Sequence, residues 1–445
     1  MHKKTKLTIL ATLIVLLVAS CSESIDQPLG SSTESAIDVK NLLTKSIDSK
    51  LSTGVTQEDV EDYLVYRQKE SLEAVKDIVR YDIDEDVYVY IVNMKRGGWY
   101  LLSGDYSSVP VIAQCNDGEL DVFKTNSQYK KAFFNSIENR IRENRMDAES
   151  DQVKSNRKQW ILAKSAAKLS TPKSRDNDID TGETIIEYYR DTLVNNLCQQ
   201  LTSTSWDPSY PFNNAMPLYG NNKRCLAGCA VVAIAQLVYY THFAFGYPND
   251  TFESASCSQY YNAAGTPPYN FNFSNPSTTC WNGMGLTASG NYFTTYATAL
   301  YALVSSRSNT QYLLDDDGYG IGSTSPSNIP STLSLFSLTG ASPQSYSRTT
   351  IINELESDRP VLGYGGSSLY DTVGHIFLYD GYSWLVIRDT EIIYDMDGNV
   401  LSQDETTYNY FKWFINTGDT FDGYHIQVAE GYYYPYNRGM FIGWS

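Results

Sequence analysis

Hydrophobic and polar positions change period several times along the chain, and each change marks an element. Lys3, Lys4 and Lys6 precede a largely apolar run, Leu7 to Val18, that ends in Ala19-Ser20-Cys21. A basic start, a short apolar core and small residues at the boundary predict a secretory signal, too short to span a bilayer. Residues 22–40 are polar and Ser-rich, the composition of a tether. From Thr56, with Asp59 three residues on, the apolar positions Val60, Leu64, Leu72, Val75 and Val79 recur at helical intervals and predict a capped helix. The runs Val87–Val92, Trp99–Leu102 and Val109–Ile112 are short and β-prone, parted by turn residues at Arg96-Gly97-Gly98 and Gly104-Asp105. A compact α+β module over residues 41–145 follows from these elements.

Residues 146–185 are polar and cationic, with little beyond Trp160-Ile161-Leu162 to bury, and predict an exposed linker open to proteases. A solvated charged helix is the alternative over its first part. The remainder, 186–445, is rich in Tyr, Asn, Ser and Gly and in short β runs. One segment stands apart: Ala230–Tyr240 is apolar nearly all round, the pattern of a buried helix. The expected fold class is α+β, a central helix against a largely antiparallel sheet. Arg359–Ser367 predicts a strand entering a Gly-rich loop, and Val373–Tyr382 a strand with a turn at Asp380-Gly381.

Composition narrows the functional classes. Hydrophobic residues make up 42% and charged residues 19% of the 445, so large cores are possible and wholesale disorder is excluded. With 51 acidic against 34 basic residues the net charge is −17, a field that repels phosphate backbones and argues against nucleic acid as a partner. Cys21 at the small-residue boundary looks like the lipidated first residue of a bacterial lipoprotein, which predicts a lipid anchor in a bacterial outer membrane or at the cell surface. Export permits disulfides. Cys198–Cys225 with Cys257–Cys280 is one pairing that would leave Cys229 free. The four histidines, His2, His242, His375 and His425, and the lack of CxxC pairs leave little for a structural zinc site.

Cys229 follows Ala227-Gly228 and opens the apolar helix. Unpaired N–H groups and the positive end of the helix dipole gather at such a place and favour a thiolate, the nucleophilic form. A buried structural cysteine is the competing reading. A thiolate nucleophile needs an imidazole partner. His242 sits roughly 20 Å along the same helix and cannot reach, which leaves His375, at a strand start after Gly374, and His425.

Together these pieces resemble the streptopain family of papain-like cysteine peptidases. The family's Gly-Cys opening an Ala-rich helix that continues through Ala-Gln is matched by Ala227–Gln236. Its Gly-His followed by an apolar strand and Asp-Gly-Tyr is matched by Gly374–Tyr382, and its Arg-Pro-Val-Leu strand by Arg359–Leu362. Tyr88–Asn93 followed by Gly97–Asp105 is similar to the family's propeptide. The resemblance implies a zymogen over residues 40–445. Its propeptide acts as inhibitor and is cut away in the linker, and the peptidase domain, 186–445, acts on polypeptide substrates with Cys229 and His375 as catalytic pair. No metal or organic cofactor is implied, and the processed enzyme would be released from its anchor. Two positions depart from the family pattern. Its Asn-Trp-Gly-Trp-Gly-Gly run, whose Asn orients the histidine, corresponds here to Lys412–Asp419, with Asn416 and Trp413 as the nearest equivalents. Its oxyanion Gln corresponds to Pro208. These departures keep open a catalytically impaired fold that binds peptides or glycoproteins, and the tyrosines a Tyr-rich, glycan-binding adhesin.

Overall fold

The computed structural model describes residues 54–123, 128–170, 185–220, 223–246, 284, 291–315, 318–339, 341–366, 374–394, 399–418, 425–434 and 436–442. The signal, the tether, Cys21, Cys257, Cys280 and the stretch 171–184 lie outside them. By internal contacts the chain forms two units. One comprises residues up to 113, 140–196 and 384–411; the other comprises 114–139, 197–383 and 412–445.

In the first unit the helix Gln57–Tyr66 starts as the sequence predicts. Thr56 and Asp59 form a reciprocal capping box, with Thr56 N–H donating to the Asp59 carboxylate at 2.8 Å. The helix ends at Tyr66, however. Leu72–Ala74 is a single 3-10 turn and Val75–Asp82 a strand paired antiparallel with Tyr88–Met94. The spacing of Leu72, Val75 and Val79 imitates a helix, but Ile78, Val79 and Tyr81 are β-prone, and the strand pairing outweighs the local period. Tyr88–Met94 pairs in turn with Trp99–Ser103, and Val111–Cys115 follows in the strand order.

The stretch read as an exposed linker is corrected over its first half. Asp151–Ser170 is a helix in which Val153, Trp160 and Ala163 are buried. Trp160 and Ala163 join Val60, Leu64, Val92 and Leu102 in one core, and the Trp160 ring meets Tyr63 at 5.1 Å and Tyr106 at 6.1 Å. Ser155, Asn156 and Gln159 are buried on the same helix, and Asn156 donates to the Ser107 carbonyl at 2.9 Å, so polar residues complete the buried face.

In the second unit the apolar helix runs from Cys229 to Phe245, beginning at Gly228 and ending at Gly246 in the left-handed conformation. Ala230–Leu237 are buried and pack with Leu362, Ile376, Leu378 and Phe441 of the sheet and with Leu300, Tyr301 and Leu303 of the helix Asn291–Arg307. The strand order is His425–Ala429, Val400–Asn416, His375–Tyr394, Val361–Gly366, Tyr436–Ile442, Ser342–Gln344. Val361–Gly366 pairs antiparallel with His375–Tyr394 and Tyr436–Ile442, Tyr436–Ile442 with Ser342–Gln344, and Val400–Asn416 with His425–Ala429, with Val361 opposite Tyr379, Gly365 opposite His375 and Asn416 opposite His425. The architecture is therefore the expected α+β. The predicted turn at Asp380-Gly381 is a correction: the strand runs on to Tyr394, paired on its other side by Ile185–Cys198, and the Asp380 carbonyl accepts from Leu201 N–H at 2.8 Å. Neighbours on both edges keep an Asp-Gly pair extended that would otherwise favour a turn. Cys198 and Cys225 are free thiols, so the Cys198–Cys225 bridge is not formed.

Candidate active site

Cys229 owes its place to a close backbone approach. Gly228 caps the helix at φ +92°, a region side chains rarely enter, and a Cβ there would fall on the carbonyl oxygen of Gly322. The strand Gly320–Ser323 thus lies directly against the helix start, with Gly322 N–H donating to Leu226 carbonyl at 2.9 Å and Leu226 N–H to Gly320 carbonyl at 2.7 Å. Gly228 offers no side chain to cap the first turn, and the half-buried Cys229 sits where the helix dipole favours negative charge. Two other thiols in this unit differ. Burial pushes Cys198 and Cys225 up to about 11, which leaves both protonated and inert at neutral pH.

His375 opens the strand that pairs with Val361–Gly366, and its side chain is 2% exposed. Rings surround it: Tyr434 at 4.8 Å, Phe377 at 5.6 Å and Tyr433 at 6.0 Å between centroids. Burial pulls the imidazole down to about 3, against a smaller upward pull from its hydrogen bond to the Thr417 backbone. Thr417 carries the connection onward. Gly418 lies against Val232, one turn into the cysteine helix, where a Cβ would meet Val232 Cγ1 at 2.8 Å. His375 is thus linked through Thr417 and Gly418 to Val232, in the first turn of the helix that Cys229 opens.

The two residues closest to the family's orienting Asn and Trp are both accounted for elsewhere. Asn416 is fully buried and its Nδ2 donates to Thr204 carbonyl at 2.9 Å and Thr202 Oγ1 at 3.1 Å; its Oδ1 accepts from Gly418 N–H at 3.4 Å. Thr202 in turn donates to Asp380 at 2.6 Å. Asn416 therefore fixes the turn that presents Thr417, and the imidazole is held by main chain. Trp413 packs at a tilt against Tyr379, 4.9 Å away, and edge-on against Tyr382 at 6.4 Å. Pro208 supplies only its carbonyl, which accepts from Ala227 N–H at 2.9 Å beside the nucleophile. His425 lies 3.4 Å from the Asp380 carboxylate. A backbone acceptor leaves no mark in a sequence, which is why Thr417 was missed; Tyr433 and Tyr434, in Gly431–Tyr434, were hidden among 36 tyrosines. Gln236, the Gln of the helix motif, is fully buried and donates to Trp206 carbonyl at 3.3 Å.

Residues from the segment preceding the peptidase domain lie in this same unit. Phe133, on the helix Gln128–Met146, meets Tyr433 at 5.7 Å. Gln114 accepts from Lys412 at 2.8 Å, and Cys115 Sγ bonds the His425 carbonyl at 3.2 Å.

Enclosure of a neutral imidazole has a measurable consequence. With its folded pKa near 3, below the usual value of about 6.5, His375 stabilises the fold fully above pH 6.5 and loses that contribution as pH falls toward 3. Between pH 7 and pH 5 this amounts to about 2 kcal/mol. Urea unfolding at both pH values should show His375→Gln losing about 2 kcal/mol less than the unsubstituted protein. Parallel losses would mean that the imidazole is not buried in the neutral form.

A cysteine at the start of a buried helix, packed against an antiparallel sheet in which one strand opens with a histidine, makes this unit an α+β fold. The Peptidase C10 family model matches residues 206–398 of the chain. Two solved structures from Prevotella intermedia are similar. A prointerpain A fragment is 16% identical, with a TM-score of 0.48 over 82% of this chain and 98% of that one. Active interpain A cysteine protease is 20% identical, with a TM-score of 0.36 over 53% of this chain and 95% of that one. No curated protein matches the sequence.

Proposed function

We propose that the chain is an exported cysteine endopeptidase made as a latent precursor and anchored through Cys21 at a bacterial outer membrane or cell surface until processing releases it. The observation that carries the activity is the placement of Cys229 at the uncapped start of its helix, with His375 tied to the first turn of that helix through Thr417-Gly418. Cys229 thiolate attacks the scissile carbonyl, and His375, having taken the thiol proton, returns it to the leaving amine. The Cys229 backbone N–H helps hold the oxyanion. Latency is supported by the state of the histidine: a neutral imidazole under Tyr433 and Tyr434 cannot form the ion pair with a thiolate, and Phe133 of the preceding segment packs against Tyr433. Loss of residues 41–185 would free Tyr433 and let the imidazole meet water.

A second reading, a silent fold that binds peptides, is favoured by one observation: Asn416 donates its side-chain amide to Thr202 and Thr204. Intact mass of residues 22–445, followed under reducing conditions beside Cys229→Ala, separates the two. A working enzyme sheds its N-terminal segment while Cys229→Ala stays whole. If both stay whole, and the chain remains inert after the segment is removed by an added protease, the binding reading holds.

A further inference from the structure

The long strands His375–Tyr394 and Val400–Asn416 divide their length between the units, and their outer part, residues 384–411, clusters with residues of the N-terminal segment. The contacts are specific. Arg67, at the end of the helix Gln57–Tyr66, is only 9% exposed, and its Nη2 donates to Tyr410 Oη at 2.9 Å. A guanidinium so buried is costly unless its donors are met, and Tyr410 meets one. Tyr408, stacked on Tyr410, is buried with it. Lys158, on the helix Asp151–Ser170, donates to Thr406. On the opposite strand the grip comes from beyond the stretch 171–184: Arg190 makes a two-pronged pair with Asp389, and Arg388 pairs with Asp191 at 2.8 Å. One strand of the hairpin is thus held by residues that precede 171–184 and the other by residues that follow it.

We propose that hairpin 384–411 is a docking arm for the N-terminal segment and keeps residues 54–170 bound after the chain is cut between 171 and 184. This rests on the reading of that segment as a propeptide. Cutting and release are then separate events, and the partner the arm recognises is a folded piece that presents a buried arginine and a lysine to Tyr410 and Thr406. Hydrogen bonds to charged donors are the stronger kind, and losing each costs about tenfold in affinity.

The test uses the full chain with Cys229→Ala, so that it cannot cut itself, and with a recognition site for a sequence-specific protease inserted between 171 and 184. After cutting, size-exclusion chromatography on serial dilution measures how tightly the pieces stay together. The expected result is a co-eluting complex whose dissociation constant rises 10–100-fold with Tyr410→Phe and Thr406→Val together, and is unchanged by Arg388→Ala, whose partner Asp191 lies on the same side of the cut as the hairpin. Circular dichroism of the uncut variants confirms that each folds. Pieces that part immediately, or a dissociation constant the paired hairpin substitutions leave unmoved, overturn the proposal. The readout needs no peptidase activity, so an inactive chain would sink the enzymatic reading without touching this one.

Discussion

Replacing Cys229 by alanine should lower peptide hydrolysis by the processed chain about 10⁴–10⁶-fold, the range seen when a covalent nucleophile is removed from a catalytic unit. The loss falls in kcat with KM little changed, because the cleft that holds the substrate is left intact. Fold stability should move by no more than about 1 kcal/mol, since Cys229 is half-buried and alanine is the better helix former. Cys198→Ser is the control. That thiol is protonated at neutral pH and bonded near the Leu355 carbonyl, so the rate should stay within about twofold. A fluorogenic peptide assay on matched concentrations decides the matter. Residual turnover near that of the unsubstituted protein would move the nucleophile elsewhere.

Gly228→Ala should cost several kcal/mol of stability, and most of the soluble yield with it. Two penalties coincide at this residue: a left-handed backbone, worth about 1–3 kcal/mol for a side-chain-bearing residue, and a Cβ driven into the Gly322 carbonyl. That oxygen belongs to main chain already hydrogen-bonded to the segment before the cysteine, so it cannot move aside cheaply. Gly246 isolates the first penalty. It too is left-handed, at φ +74°, but nothing lies within 4 Å of its Cβ position. Gly246→Ala should therefore cost about 1 kcal/mol. Denaturant unfolding of the two variants should separate by more than about 2 kcal/mol; equal losses would show that the strand Gly320–Ser323 yields.

Much of the fold was legible because its strongest signals are local. The apolar run Ala230–Tyr240 has too few polar positions to be anything but a buried helix, and Thr56 with Asp59 marks a helix start whatever follows. The errors came where long-range pairing decides. Leu72–Val79 carries a helical spacing and becomes a strand because Tyr88–Met94 is there to receive it. Asp380-Gly381 carries a turn signal and stays extended between two neighbours. The sparse hydrophobicity of 151–170 concealed a buried face built on Trp160. At the site, side-chain types and helix position made Cys229, His375 and His425 candidates, while the surroundings of each were not legible. The group that receives the imidazole is a carbonyl, identical at every residue of the chain, and only the fold can single out Thr417.

The contact between Gly228 and Gly322 also sets an order of events during folding. The two glycines are about ninety residues apart, so the helix cannot take its final starting point until the chain between them has closed a long loop. Contacts of such separation form late in folding. A truncated or half-folded chain would carry Cys229 without the backbone frame that fixes the start of its helix, so that frame is one of the last features to mature.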